Sequence, residues 1–443
     1  MLAQLSLQFD SALRICLGLS CLALAAVLVA CGDDPTPTPA TATVTPMPTT
    51  PTATPEPASQ PWQSFPSTFN EYQLLAEDDP TGREELFESA IATLSKDISK
   101  DSTNVYAYVK RGVAYTAIYA YSLPDRDEGL IEQAIEDFTK AIDLDLSEAG
   151  AYIGRGEAYY RWRQKDRANQ DYDTAIQLLS KAIRIDSSDV ESYIARAYAY
   201  RLIGDSDRAL QDLNEAISLD PSNPMAYYYR ALAYSQKGGD DRAIEDYGMA
   251  ILLDPNHVHA HNNRAGKYYW AGEYDKAIQG YDKVISLNPN FRWAYGNRGE
   301  SYFKKGEYDR AIQDFDKAIA IRPYAAAYIG RAAAYYNKGE HDRAIEDYSS
   351  AINRNPSYAQ TYVDRGYVYY LNGEYGRALE DYDTAIGLDE SDPYSYYYRG
   401  WAYSSLGDVP KARADLNKAL ELGHDRDEIE TALAELKKME EDG

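Results

Sequence analysis

Three of the five histidines lie close together in the sequence, as His257, His259 and His261. His257 and His261 are four residues apart, and on a helix this spacing would place two imidazoles on one face, where they could bind a metal ion. However, His257 falls between two predicted helices, and His261 occupies a position that is Tyr in equivalent segments of the chain. We therefore interpret these residues as variable loop histidines and predict no metal site.

The other residue patterns that carry chemistry are missing from the sequence. It contains no Gly-rich phosphate-binding loop and no G-x-S-x-G motif. Carboxylates are abundant, but they recur with a fixed period and are therefore expected to be structural. The three cysteines, Cys16, Cys21 and Cys31, all lie in the first 31 residues. We predict that the protein is not an enzyme, has no catalytic residue and needs no cofactor.

The charge balance limits the partners. The chain has 70 acidic and 45 basic residues and a formal net charge of −25. Contacts with phosphates require clustered Lys and Arg, so nucleic acid is excluded as an expected partner. An anionic lipid surface is disfavoured for the same reason, and the acidity is expected to keep the surface solvated.

The amino terminus reads as an export signal. Ile15–Ala30 is an uncharged stretch of sixteen residues, which is short for a membrane span and typical of the apolar core of a signal peptide. It ends in Leu-Val-Ala-Cys at Cys31, which resembles the lipobox of bacterial lipoproteins. The resemblance implies a signal peptide over residues 1–30 and an extracytoplasmic protein anchored to the cell membrane by lipidated Cys31. An uncleaved anchor is the alternative.

Residues 31–69 form a Pro/Thr-rich linker. Half of the 20 prolines lie between Pro35 and Pro66. Proline removes backbone donors and fixes φ, so this segment is predicted to be disordered and to lack helices and sheets. In a polyproline II conformation it would make a stalk of up to ~100 Å between the lipid anchor and the rest of the protein.

After residue 70 the sequence repeats with a period of 34 residues. Position 8 is Gly or Ala, position 11 Tyr and position 20 Ala in all nine units, while position 4 is Tyr except for His261 and position 27 is Ala except for Val284. Positions 4, 7, 8 and 11 form one helical stripe and positions 20, 24 and 27 a second, with Gly near position 15 between them, so each unit is predicted to be a helix-turn-helix. Nine units begin at Val105, Ala149, Val190, Pro224, Val258, Arg292, Ala325, Ala359 and Pro393.

Two units contain insertions. The unit from Ala149 has seven extra residues and no Gly or Pro near its turn, and we predict that each of its helices is longer by one turn. The unit from Val105 has ten extra residues, which Pro124 favours as a loop.

The pattern strongly resembles the tetratricopeptide repeat, a family of 34-residue helix-turn-helix units. The resemblance implies an all-α, right-handed superhelical α-solenoid, with nine units over residues 105–426. A degenerate repeat is predicted over residues 70–104, with Ala90 and Leu94 in the second stripe. Residues 427–443 are predicted to form a C-terminal capping helix and tail, whose apolar face comprises Ile429, Ala432, Leu433 and Leu436.

Position 7 of every unit is arginine, although it belongs to the predicted buried stripe. An unpaired half-buried guanidinium is costly, so an acidic partner is expected. Position 23 is Asp in seven units, and Leu178 and Gly280 are the exceptions. We favour structural ion pairs, including Arg230–Asp246, Arg298–Asp314, Arg331–Asp347 and Arg365–Asp381, over an anion-binding site.

The family resemblance implies that positions 2, 5, 9, 12 and 13 of the first helix line an inner, concave groove. Aromatic residues at a solvated surface favour recognition, although some could instead pack between units. Those at these positions are Tyr160, Tyr198, Tyr228, Tyr269, Trp270, Trp293, Phe303, Tyr336, Tyr367, Tyr370, Tyr394, Tyr397 and Trp401. Trp270 and Trp293 are the predicted hot spot. The Lys at position 5 and Asn at position 9 that other family members use to grip acidic tails are missing.

The sequence thus predicts a lipid-anchored extracytoplasmic scaffold that binds an extended peptide or protein segment in an aromatic groove. The alternative is a glycan-binding protein of cell-envelope or polysaccharide assembly, because Tyr and Trp faces also stack on sugar rings. The sequence does not decide between these ligands, and it leaves the oligomeric state open.

Overall fold

The computed structural model describes residues 80–121 and 127–442, and every regular element in these ranges is an α-helix. The all-α prediction is therefore confirmed for this part of the chain. The predicted signal peptide, Cys31, the linker and Pro124 lie outside the described residues. Within the described ranges, no helix combines the length and the apolar character that crossing a membrane requires.

The helices follow one another in pairs along the chain. They are α1 (Pro80–Lys100), α2 (Val105–Tyr121), α3 (Glu128–Leu144), α4 (Ala149–Arg161), α5 (Lys165–Ile185), α6 (Val190–Leu202), α7 (Ser206–Leu219), α8 (Pro224–Gln236), α9 (Asp240–Leu253), α10 (Val258–Trp270), α11 (Tyr274–Leu287), α12 (Arg292–Lys304), α13 (Tyr308–Ile321), α14 (Ala325–Asn337), α15 (His341–Arg354), α16 (Ala359–Leu371), α17 (Tyr375–Leu388), α18 (Pro393–Ser405), α19 (Val409–Glu421) and α20 (Arg426–Asp442). The even-numbered helices from α2 to α18 are the first helices of the nine units, and each begins at the predicted residue. The odd-numbered helices from α3 to α19 are the second helices.

The turn between the two helices of a unit depends on a left-handed residue. In most units this residue is glycine, such as Gly204 at φ 83° and Gly272 at φ 76°. In the unit from Ala149 it is Arg163, which has φ 61° and is the only non-glycine residue with positive φ in the described chain. A side chain in this conformation costs free energy, so the surrounding helices must hold Arg163 in place.

The predicted lengthening of both helices in the unit from Ala149 is wrong. Helix α4 has 13 residues, as in most units, whereas α5 has 21 residues instead of the usual 14. All seven extra residues therefore lengthen the second helix. The turn stays at its usual place because Arg163 adopts the conformation that glycine adopts elsewhere.

The described helices form two bodies, residues 80–294 and residues 295–442, and the division falls within α12. In each body, a first helix packs against the second helix of its own unit and against the preceding second helix. The apolar stripes meet there, and the position-24 rings are among the largest fully buried side chains. They include Tyr172 and Tyr247 in one body and Phe315, Tyr348 and Tyr382 in the other.

The terminal helices α1 and α20 cover the ends of the array. Helix α1 differs from the helix-turn-helix unit predicted over residues 70–104, because it is continuous through the position where the turn would fall. It packs against α2 as a second helix would. Helix α20 packs against α19 and buries Ile429, Ala432 and Leu436, while Leu433 is partly buried. These contacts keep the apolar faces of the outermost units out of water.

Candidate functional site

Eight of the nine position-7 arginines form bidentate ion pairs with an aspartate of their own second helix. In each pair Nε and Nη2 donate to the two carboxylate oxygens at 2.6–2.9 Å. We call this set the arginine ladder, and it comprises Arg111–Asp137, Arg155–Asp171, Arg196–Asp212, Arg230–Asp246, Arg298–Asp314, Arg331–Asp347, Arg365–Asp381 and Arg399–Asp415. The side chains of Arg230 and Asp246 are 20% and 7% exposed. The geometry is thus that of largely desolvated, fully satisfied pairs.

The ladder also joins successive units. Nη1 of Arg230 donates to Asn214 of the preceding second helix at 2.8 Å, and Nη1 of Arg365 donates to Ser349 at the same distance. The guanidinium of every paired arginine lies 5.4–5.9 Å from the ring centroid of the position-4 tyrosine. Arg230 and Arg365 therefore each link their own helix to both flanking second helices, and the predicted structural pairs are present.

The two exceptions predicted at position 23 have different outcomes. Leu178 is not the residue opposite Arg155, because Asp171 takes that role at the usual separation of 16 residues. The expectation was wrong because the insertion was placed before this position rather than after it. Gly280 is the true exception, and Arg264 has no carboxylate opposite it on α11.

The structure places the thirteen predicted groove aromatics in three environments. Six are buried, and their rings are therefore unavailable to a ligand in this conformation; they are Tyr198, Tyr228, Tyr269, Tyr336, Tyr367 and Tyr397. Six are half-buried, namely Trp270, Trp293, Phe303, Tyr370, Tyr394 and Trp401. Tyr160 is 57% exposed. The position within a unit thus predicts the helix face but not whether a neighbour covers the ring.

The buried rings pack between consecutive units. Tyr198 lies 5.4 Å from Tyr229 of the next first helix, measured between ring centroids. Tyr336 and Tyr367 lie 6.1 Å apart in the other body. Such edge-to-face and tilted contacts stabilise the stacking of units, so these rings serve the array rather than a free surface.

Trp270 and Trp293 lie at the end of α10 and near the start of α12, and both retain exposed surface. The Trp270 ring is edge-on to Tyr269, with 5.4 Å between centroids. The guanidinium of Arg292 lies 4.4 Å from the ring centroid of Trp293. Both indoles are therefore anchored by a neighbour and still partly accessible, as rigid contact residues are.

In the body of residues 295–442, the half-buried rings cluster near the C-terminal helices. Ser405 Oγ donates to the hydroxyl of Tyr370 at 3.3 Å. The ring of Tyr394 lies 5.0 Å from that of His424, and Trp401 lies 6.3 Å from Tyr397. These contacts fix three aromatic side chains on α16 and α18 while leaving part of each exposed.

Sequence reasoning missed the buried acids on the first helices. Glu157 and Glu300 both occupy position 9, and Asp364 lies at position 6 of its unit; all three are buried. Glu157 accepts a hydrogen bond from the Tyr198 hydroxyl. Position 9 is Tyr, Trp, Leu, Gly or Ala in most other units. A glutamate at this position was therefore the sequence signal that could have identified Glu157 and Glu300.

Glu300 titrates near neutral pH. Its carboxyl lies against Gly330, and its Oε2 has no hydrogen-bond partner in the described chain. Burial raises the pKa of Glu300 to about 7, against the opposing charge of Lys304. Burial likewise raises the pKa of Asp364 to about 7, although Gln360 donates to it at 3.0 Å.

We expect Glu300→Gln to reduce the loss of stability with rising pH. The folded carboxyl keeps its proton up to about pH 7, whereas the unfolded one loses it near 4.5, so folding is disfavoured progressively as the pH rises through this window. Between pH 5.5 and 7.5 the wild-type protein should lose roughly 1–2 kcal/mol more unfolding free energy than the variant. Urea unfolding at both pH values measures this. Exposed Glu390→Gln is the control, and an unchanged pH dependence in Glu300→Gln would contradict the assignment.

The three histidines are interior residues: His257 lies at the N-cap of α10, between two helices as expected, and His259 and His261 lie on α10. His257, His259 and His261 are all buried. His257 accepts from the backbone N–H of Ala260 at the start of α10, and its ring lies 4.7 Å from that of Tyr228. Burial lowers the pKa of His257 to about 4, so the imidazole is neutral. In the described ranges no three or more metal-binding side chains cluster.

Comparison with known proteins identifies the repeat. Sequence profiles described as tetratricopeptide repeats match residues 126–190, 197–238, 265–306, 293–324, 332–373, 366–407 and 393–425, which together cover more than half of the chain. No curated protein matches the sequence.

Three solved structures illustrate the similarity. A tetratricopeptide repeat protein from Parabacteroides merdae is 25% identical, with 56% of this chain and 98% of that chain covered and a TM-score of 0.45. The C-terminal part of a repeat-containing protein from Cytophaga hutchinsonii is 21% identical, with 51% and 94% covered and a TM-score of 0.44. Yeast Tom70 is 14% identical, with 81% and 93% covered and a TM-score of 0.40.

Proposed function

The chain belongs to the tetratricopeptide repeat family, and from that premise we propose that it is a lipid-anchored, extracytoplasmic scaffold that binds an extended segment of a protein partner. Proteins of this family bind protein partners. The proposed site is the aromatic surface of the first helices, reduced to the rings that retain exposed area.

The observation that carries the proposal is the set of half-buried rings on the first helices. Trp270 and Trp293 are each fixed by a neighbouring ring or guanidinium and remain partly exposed. Large, rigid aromatic side chains give contact area at a low entropic cost, which is why Trp and Tyr dominate binding energies at interfaces. A partner segment that places apolar side chains against these indoles would gain from that arrangement.

Within the body of residues 295–442, the half-buried rings favour an extended ligand over a helix or a globular domain. Half-buried aromatic residues recur on successive first helices, as Tyr370 on α16 and Tyr394 and Trp401 on α18. A chain that runs across several first helices could contact one such group per unit. Binding energy would then be spread over several units of this body, with Trp401 as the strongest contact.

The proposed location rests on the amino-terminal sequence. The uncharged stretch Ile15–Ala30, followed by Cys31, supports cleavage before Cys31 and its modification with acyl chains. The Pro/Thr-rich residues 31–69 would then separate the repeats from the lipid surface.

We expect Cys31→Ser to abolish attachment to the membrane. Serine offers no thiol for the thioether, so the acyl chains that hold the protein would be missing. Cell fractionation and labelling with a radioactive fatty acid measure the outcome; Cys21→Ser is the matched control, which should keep its label. Label on the Cys31→Ser protein would contradict the lipoprotein assignment, and an unlabelled protein that stays in the membrane would indicate an uncleaved anchor.

Ligand selection tests the proposed partner against the alternative. Immobilised residues 31–443 are presented with a library of extended peptides and with purified cell-envelope glycans. We expect peptides with apolar or aromatic side chains to be enriched and to compete with one another. Enrichment of glycans alone, blocked by free sugar and not by peptide, would replace the proposal with a role in envelope or polysaccharide assembly.

A further inference from the structure

Arg264 is the ladder arginine that lacks its partners. Position 23 of its unit is Gly280, where the eight other units have aspartate. In the unit of Arg230, a second acceptor, Asn214, lies 16 residues before the arginine. The residue 16 positions before Arg264 is Gly248, which has no acceptor side chain. The position-4 tyrosine is replaced by His261. No hydrogen bond or ion pair forms at the Arg264 side chain within residues 80–121 and 127–442.

Glycine stands at both positions that supply acceptors in the other units, so neither flanking second helix offers Arg264 a side-chain acceptor. Gly248 lies on α9 and Gly280 on α11, the second helices that flank α10. A Cβ atom on Gly248 would lie 3.6 Å from Nη1 of Arg264, which locates the guanidinium directly beside this glycine. A Cβ atom on Gly280 would lie 2.6 Å from Cβ of Ala265, so α10 and α11 lie close together at this point.

The charges around Arg264 add to the positive character of the site. Burial lowers the pKa of His261, and the positive charges of Arg264 and Lys283 lower it further, which shows that both cations lie near the imidazole. Lys283 has no ion-pair partner in the described chain. The negative charge of Asp254 raises the pKa of His261, but this carboxylate already accepts a hydrogen bond from the backbone N–H of Asn256 at 3.0 Å.

We propose that Arg264 binds a carboxylate from an acidic side chain of a protein partner, which takes the place of the missing aspartate. The Nε and Nη2 edge that holds an aspartate in every other unit is available for the same bidentate contact. Gly248 and Gly280 carry no side chain that would compete for this edge. Arg264 lies at position 7 of the first helix α10 and faces a flanking second helix, whereas the aromatic surface uses positions 2, 5, 9, 12 and 13 of the first helices, so the two sites are separate.

Acetate is the natural probe, because it reproduces the missing CH₂–COO⁻ group of an aspartate. We compare thermal unfolding of the mature chain in sodium acetate and in sodium chloride of equal ionic strength. The wild-type melting temperature should rise by about 2–4 °C at acetate concentrations near tenfold above the dissociation constant. Arg264→Met should melt at or above the wild-type temperature in chloride and show no rise with acetate.

A double variant tests whether an aspartate of the chain itself can take the place of the bound carboxylate. Ala265→Gly with Gly280→Asp reproduces the residues of the next unit, Gly299 and Asp314, and should restore the internal pair. We expect this double variant to melt above the wild type in chloride and to be insensitive to acetate. An equal acetate effect in the wild type, Arg264→Met and the double variant would overturn the proposal, as would a large loss of stability in Arg264→Met.

The source of the carboxylate is tested with short blocked peptides. Acetyl-Gly-Gly-Asp-Gly-Gly-amide should compete with acetate, and its counterpart with Asn in place of Asp should not. Competition by neither peptide, with acetate binding retained, would assign the site to a small carboxylate and overturn the assignment to a protein side chain.

Discussion

Asp246→Ala should lower the unfolding free energy of the repeat array by ~3–5 kcal/mol, because it leaves the Arg230 guanidinium largely buried with only Asn214 as a protein acceptor. The reverse change, Arg230→Met, should also destabilise the array, since Asp246 is the more buried partner, at 7% side-chain exposure. Urea unfolding followed by circular dichroism measures both.

The double variant Asp246→Ala with Arg230→Met isolates the pair. It should be more stable than the sum of the single changes predicts, since neither charge is then left unpaired. Arg264→Met is the matched control, because its arginine occupies the same position in its unit and has no aspartate opposite it. Changes below 1 kcal/mol in both single variants would mean that the ladder is not a source of stability.

Trp270→Ala combined with Trp293→Ala should weaken binding of a selected peptide by at least 2 kcal/mol, which is roughly a thirtyfold loss of affinity. Both rings are half-buried and lie outside the stripe of positions 4, 7, 8 and 11, so helical content should be retained. Isothermal titration calorimetry measures the affinity, and circular dichroism confirms that the variant is folded.

Two matched controls separate binding from stability. Leu252→Ala removes another accessible large side chain, 70% exposed on the second helix α9, and should leave affinity unchanged. Tyr228→Ala removes a buried ring that contacts Tyr229, Tyr247 and His257, and should lower the melting temperature. If the tryptophan double variant unfolds as Tyr228→Ala does, the two indoles belong to the core.

The helices could be predicted from the sequence because one period repeats the same physical constraint nine times. Small residues at positions 8, 20 and 27 and aromatics at positions 4, 11 and 24 fix both helical stripes, and all nine predicted first-helix starts match the structure. The unit from Ala149 failed where no glycine marked the turn. The dipeptide Asp171-Tyr172, which matches Asp246-Tyr247, would have located its second helix correctly.

The groove was less predictable, because a position within the unit does not report what the next unit contributes. Tyr228 and Trp270 both lie at positions implied to face the inner surface, yet Tyr228 is 2% exposed and Trp270 is only half-buried. The difference arises from neighbouring rings that pack over Tyr228, such as Tyr247 on α9 and His257 just before α10. The environment of Arg264 was similarly hidden, since the absence of an acceptor side chain at Gly248 is visible only once α9 lies beside α10.

Site-specific photocrosslinking tests most directly the proposed aromatic binding surface. Trp270→p-benzoylphenylalanine and Leu252→p-benzoylphenylalanine place the same reactive group on a first helix and on an exposed second-helix position. Illumination with a selected peptide should give a crosslinked product at position 270 and none at position 252. Crosslinking at position 252 alone would contradict the proposal and assign recognition to the second helices.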